Sequence, residues 1–101
     1  MFRMIDLEVD GECWRYAFAQ PDGVLSSEDR EYLLRETVRL YKKGDEKLYI
    51  KGKEFEGRLI RGKFGCFGAC SGREYNAELE TQKGKRYASI LVAKIIDSNL
   101  N

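Results

Sequence analysis

Two closely spaced cysteines, Cys66 and Cys70, and two pairs of alternating glutamates, Glu54 with Glu56 and Glu78 with Glu80, are the residues here with the most chemistry to offer. Neither set has the company that chemistry requires. A spacing of four is neither the Cys-x-x-Cys of a redox site nor half of a zinc finger, and with Cys13 the chain has three thiols and no histidine, one ligand short of a structural zinc. On an extended strand the two sulfurs would stand roughly 13 Å apart, too far to bridge, so both read as small packing residues. Without histidine, neither a cysteine nor Ser26, Ser27, Ser71 or Ser89 has its usual proton acceptor. Glutamates at i, i+2 share one strand face, whereas glycoside hydrolysis needs two acids across a cleft. The expectation is a protein with no catalytic residues, no metal and no cofactor.

Two other stretches suggest binding. Between residues 62 and 73, Gly62, Gly65, Gly68 and Gly72 are flanked by Lys63 and Arg73, a composition that lets backbone amides approach an anion. The spacing fits no phosphate-loop pattern, and a bulged strand explains the glycines more simply. Gly65, Gly68 and Arg73, with Lys51 and Lys53, are therefore secondary anion-binding candidates. Between residues 47 and 63, six cations (Lys47, Lys51, Lys53, Arg58, Arg61 and Lys63) interleave with Tyr49, Phe55 and, just beyond, Phe64. Basic strands with exposed aromatics hold single-stranded nucleic acid, but these three rings also alternate with charges as core residues do.

The elements that would position these residues read clearly at the N-terminus. Ile5, Leu7 and Val9 alternate with acids, Trp14, Tyr16 and Phe18 alternate after them, and Asp10-Gly11 suits a two-residue type I′ turn. That turn pairs Val9 with Glu12, Leu7 with Trp14, Ile5 with Tyr16 and Asp6 with Arg15. Gln20-Pro21-Asp22-Gly23 then forms a turn. Ser26 or Ser27 is a fitting N-cap, Glu28, Asp29 and Glu31 suit the first helical turn, and Gly44 after Lys42-Lys43 is a stop. The spacing of Leu33, Leu34, Val38 and Tyr41 predicts one amphipathic helix over about 26 to 43.

From Asp45 the chain reads as a meander, with strands near 47–51, 54–60, 63–70, 74–81 and 86–96. Lys51-Gly52-Lys53, Arg61-Gly62-Lys63, Ser71-Gly72-Arg73 and Lys83-Gly84-Lys85 serve as its turns. The fold class expected is α+β: an N-terminal β-hairpin, one amphipathic helix, then a curled antiparallel meander packed on the helix, in one compact domain over 1–101. One helix covers few strands, which leaves homodimerisation through the uncovered face open.

Of 101 residues, 43% are hydrophobic and 35% charged, with net charge +1. The charge is unevenly distributed: residues 1–46 hold 7 basic and 11 acidic side chains, residues 47–101 hold 11 and 6. No signal peptide is read at Met1–Asp6, no apolar run approaches a membrane span, and an odd number of cysteines suits a reducing compartment, so the expected location is cytoplasmic. A small, highly charged chain without a catalytic set points to stoichiometric association, as an inhibitor or regulator docking a basic surface on an anionic region of a larger protein. Meander geometry would gather Arg61, Lys63, Lys83, Lys85 and Arg86 at one end as that partner-binding site. Binding of nucleic acid, a nucleotide or another phosphorylated small molecule at the same turns is the alternative.

Overall fold

The computed structural model describes residues 4–19, 25–67 and 70–95. In chain order its elements are β1 (Met4–Val9), β2 (Glu12–Ala19), α1 (Ser27–Lys43), β3 (Lys47–Lys51), β4 (Phe55–Phe67), β5 (Cys70–Thr81) and β6 (Gly84–Lys94). The six strands form one antiparallel sheet in the order β1-β2-β6-β5-β4-β3. The hairpin and the meander thus share a sheet, joined where β2 pairs with β6, and α1 carries the chain from β2 to the far edge. No helix among the described residues is long and apolar enough to cross a membrane.

The hairpin has the register its turn dictates. Asp10 and Gly11 both take positive φ, 50° and 83°, and Val9, Leu7, Ile5 and Asp6 face Glu12, Trp14, Tyr16 and Arg15. Asp6 and Arg15 form an ion pair of 2.9 Å across the strands. The helix also ends where its caps place it. Ser26 Oγ accepts from the Asp29 amide at 3.1 Å, and Gly44, at φ 81°, donates its N–H to the Leu40 carbonyl.

α1 lies over one side of the sheet. Leu33, Leu34 and Val38 pack into a cluster with Trp14, Leu59, Tyr75, Ala77, Leu79, Ile90 and Val92. The Trp14 and Tyr41 rings meet edge to face at 5.6 Å. Burial in this layer pushes the Tyr75 phenol up to about 12.

The meander has four strands where the sequence suggested five. Arg61-Gly62-Lys63 is no turn: the register of β4 against β5 shifts between Arg61 and Phe64, so the tripeptide is taken up as a bulge inside one long strand. Glycine is what permits this, because a Cβ at residue 62 would stand 2.9 Å from the Glu74 carbonyl oxygen on β5. Ser71-Gly72-Arg73 likewise lies within β5. The reversal falls between Phe67 and Cys70, which face each other; Gly68 lies outside the described residues. Cys66 and Cys70 therefore stand on two different strands, one register step apart, and not on one strand as expected.

Candidate functional site

These corrections move the basic residues. Because β4 and β5 run uninterrupted, the turns at 52–54 and 82–83 fall at the same end of the sheet, joined by the cross-strand row Lys51, Glu56, Glu80, Lys85. Lys83, Lys85 and Arg86 thus share an end with Lys51 and Lys53. Arg61 and Lys63 do not join them. They sit in mid-β4, roughly 20 Å along the strand from Phe55, so the five-residue site expected from meander geometry is not brought together.

Several of these cations already have partners. Arg61 pairs with Glu46 at 3.3 Å and donates to the Gly44 carbonyl at 3.2 Å, tying the helix end to β4. Lys53 pairs with Glu28, Arg73 donates to the Gly62 carbonyl within the bulge, and Arg86 donates to the Lys85 carbonyl. Gly65 is a β4 residue facing Gly72 on β5. Among the described residues, Lys51, Lys63, Lys83 and Lys85 have no acid within ion-pair distance.

The two halves of the chain also interleave. Glu12 binds both Lys42 and Lys94, Glu28 binds Lys53, and Glu46 binds Arg61, so the charge split along the sequence is partly neutralised in the fold. Hydrogen bonds from Lys42 and Lys94 hold the Glu12 carboxyl down at about 2, against an ordinary glutamate value of 4.5.

What remains open is the sheet face turned away from α1. Alternation along each strand places Leu48, Ile50, Leu59, Ala77, Leu79, Ala88 and Ile90 toward the helix and their neighbours outward. One outward row runs Tyr49, Arg58, Glu78, Tyr87 across β3, β4, β5 and β6. Arg58 and Glu78 form an ion pair of 2.9 Å in its middle. The tyrosines at its ends are 72% and 61% exposed, the large apolar side chains left open among the described residues. Three inter-strand spacings separate them, about 14 Å. A groove of about 290 Å³ lies between, lined by Tyr49, Arg58, Glu78, Glu80, Lys85 and Tyr87 among others. Farther along this face Ala17 and Ala93 are buried, so the open area belongs to the end that holds the two turns.

That end is fixed from the helix side. Asp29, 2% exposed, directs Oδ1 to the Lys53 amide and Oδ2 to the Glu54 amide, both at 3.1 Å. In a capping box the residue at this helical position reaches back to the cap's own amide. Here it holds the β3–β4 turn instead. The Lys51 amide donates to the Tyr32 hydroxyl at 3.4 Å, and the Tyr32 ring lies 6.2 Å from that of Phe55. The edge strand carrying Tyr49 is therefore anchored at its turn end by α1.

Tyr49 and Tyr87 are absent from the site expected from sequence, and of the two readings open for Tyr49, exposed aromatic or core residue, the structure has the exposed one. The signal was in the phase of the alternation. Tyr49 shares its period with Lys47 and Lys51, while Leu48 and Ile50 occupy the other; Tyr87 shares its period with Lys85 and Ser89, while Ala88 and Ile90 occupy the other. Phe55 does lie in the core, 5% exposed. Among the described residues, no three acidic, cysteine or histidine side chains come together as a metal site. No protein-family model, curated protein or solved structure matches the chain.

Proposed function

We propose that this chain is a binding module, an inhibitor or regulator that associates stoichiometrically with a larger protein through the outward face of its sheet. The observation that carries the reading is the pair of exposed tyrosines bracketing an Arg–Glu ion pair in one cross-strand row. Tyrosine and arginine dominate the energetics of protein interfaces because they combine large contact area with a polar handle. Tyr49 and Tyr87 are the anchors and Arg58–Glu78 the polar centre. Lys51, Lys83 and Lys85 form a basic rim that speeds encounter with an acidic surface, while Arg86 has the phase of Ala88 and Ile90 and belongs to the other face.

The same face bears on the alternatives. Glu56, Glu78 and Glu80 lie among the tyrosines and would repel a phosphate backbone, which favours a protein partner over nucleic acid. The row Lys51, Glu56, Glu80, Lys85 reads the same from either side. A second copy rotated about an axis along the strands, between β4 and β5, would set glutamate on glutamate and lysine on lysine. In that row a different protein fits better than a second copy, although the adjacent row would set Arg58 on Glu78 under the same rotation. A groove of about 290 Å³ is at the lower limit for small-molecule sites, and no nucleophile–base pair lines it, which supports association over turnover.

The test is affinity capture of a partner from a cell extract by the intact chain, followed by titration of the purified pair. Tyr49→Ala with Tyr87→Ala should weaken binding by at least about thirtyfold, the equivalent of 2 kcal/mol. Unchanged affinity in the double variant, or capture of nucleic acid alone, contradicts the reading.

A further inference from the structure

The described strands leave four long stretches of sheet edge, and three are guarded, one of them Gly84–Ala88 of β6, which lies beyond the Ala19–Ser89 pair that ends β2 and carries Lys85 and Arg86. β1 carries Asp6 and Glu8 along its six residues, and β3 is only five residues long and begins and ends with lysine. Charges and short length are how natural sheets keep their edges from pairing with other chains. The fourth stretch arises because β4 is much longer than its neighbour. β3 pairs with β4 only as far as Ile60, and the last backbone bond on that side runs from the Arg61 amide to the Glu46 carbonyl at 2.8 Å. From Gly62 to Phe67, β4 continues with β5 on one side and no described strand on the other. Those six residues, Gly-Lys-Phe-Gly-Cys-Phe, carry a single charge, Lys63.

We propose that residues 62–67 of β4 pair, antiparallel, with the same residues of a second copy of this chain, joining two sheets into one across a two-fold axis near Gly65. The step left by the short β3 has the shape this requires. With the copies inverted, each long strand fills the other's step, and the partner's β3 falls in line with β4 beyond Phe67, not against it. Lys63 lies toward one end of the stretch, so the lysines of the two copies sit toward opposite ends of the ladder. Antiparallel self-pairing is isologous, as most homodimers are, and it offers partners to the edge-facing backbone groups of 63–67, which no described strand meets. The ladder is short and the interface small, so the dimer dissociates on dilution. It shares no residue with the outward face, and the partner-binding reading stands or falls separately.

Sedimentation equilibrium of the intact chain over a wide concentration range, with amide exchange measured at both extremes, tests the pairing. The expected result is a monomer–dimer equilibrium in which the alternate amides of 62–67 that point away from β5 gain protection as concentration rises, while those of β1 and β3 do not. Cys66→Lys should shift the equilibrium to monomer; should that variant misfold, the exchange pattern of the unaltered chain still decides. A monomer at every concentration, or a dimer protected on β1, β3 or the Tyr49–Tyr87 face, overturns the proposal.

Discussion

Arg58 and Leu59 are neighbours on one strand and answer to different demands. Leu59 is fully buried beneath α1 with Ala77 and Leu79, whereas Arg58 faces outward beside Tyr49 and Glu78. The inward side is apolar and closed by the helix. The outward side at the same level is half charged, half aromatic and open. Two tyrosines at 72% and 61% exposure on that side are contact area that a partner would cover. Alternation thus divides the same four strands into a layer that holds the fold and a layer available to another molecule.

That division is broken most directly by substitutions on adjacent positions. Leu59→Ala should destabilise the chain by about 2 to 5 kcal/mol in denaturant titration, because it opens a cavity under the helix. Tyr49→Ala and Tyr87→Ala should each stay within about 0.5 kcal/mol of the parent. Equal losses on the two faces would mean that the outward tyrosines hold the fold and are not spare for binding.

Asp29 links the two layers, and its removal should have the next largest effect. Asp29→Ala leaves the Lys53 and Glu54 amides without their acceptor, a loss of about 1 to 3 kcal/mol. Because those amides belong to the turn after β3, amide exchange in Lys47–Lys51 should quicken more than in β6. Uniform quickening across the sheet would show that Asp29 contributes only to global stability.

The hairpin and the helix were legible because their determinants are local. Asp10-Gly11 sets φ and register within a few residues, and Ser26 and Gly44 cap the helix from its own ends. Arg61-Gly62-Lys63 and Lys51-Gly52-Lys53 look alike in sequence, yet one is a bulge and the other leads into a turn. The difference lies across the sheet, where the Glu74 carbonyl approaches Gly62, and no nearby residue records it. Misplacing that turn exchanged the ends of the meander and so assembled the wrong set of cations. The tyrosine row was hidden for the same reason, since Tyr49 and Tyr87 are 38 residues apart and meet only through the register of four strands.

The pH response separates the far end of the molecule from the open face. Glu12 joins Lys42 of α1 to Lys94 of β6, and its carboxyl is held at about 2 in the fold against 4.5 ordinarily. A depressed folded value means that this contribution is complete above about pH 4.5 and is lost as pH falls toward 2. A carboxyl titration by NMR should place the Glu12 midpoint near 2, and Lys42→Met should raise it. A midpoint at the ordinary glutamate value would remove the bridge from the account.

The smallest expected effect concerns the rim. Reversing Lys83 and Lys85 to Glu should slow association with an acidic partner, most clearly at low salt, while thermal stability changes little. Lys63→Glu, in mid-β4 well away from the open face, should leave the association rate nearly unchanged. If Lys63→Glu slows it as much, the attraction is long-range and not confined to the turn end.

Whether the outward face docks a partner is decided by calorimetry of the purified pair. The isolated chain and its captured partner would be titrated by calorimetry, with Tyr49→Ala, Tyr87→Ala and the double variant beside the parent, each first confirmed folded by its thermal melt. Binding should be one-to-one and weaken by at least about thirtyfold in the double variant at unaltered melting temperature. Parent-like affinity in a folded double variant would contradict it.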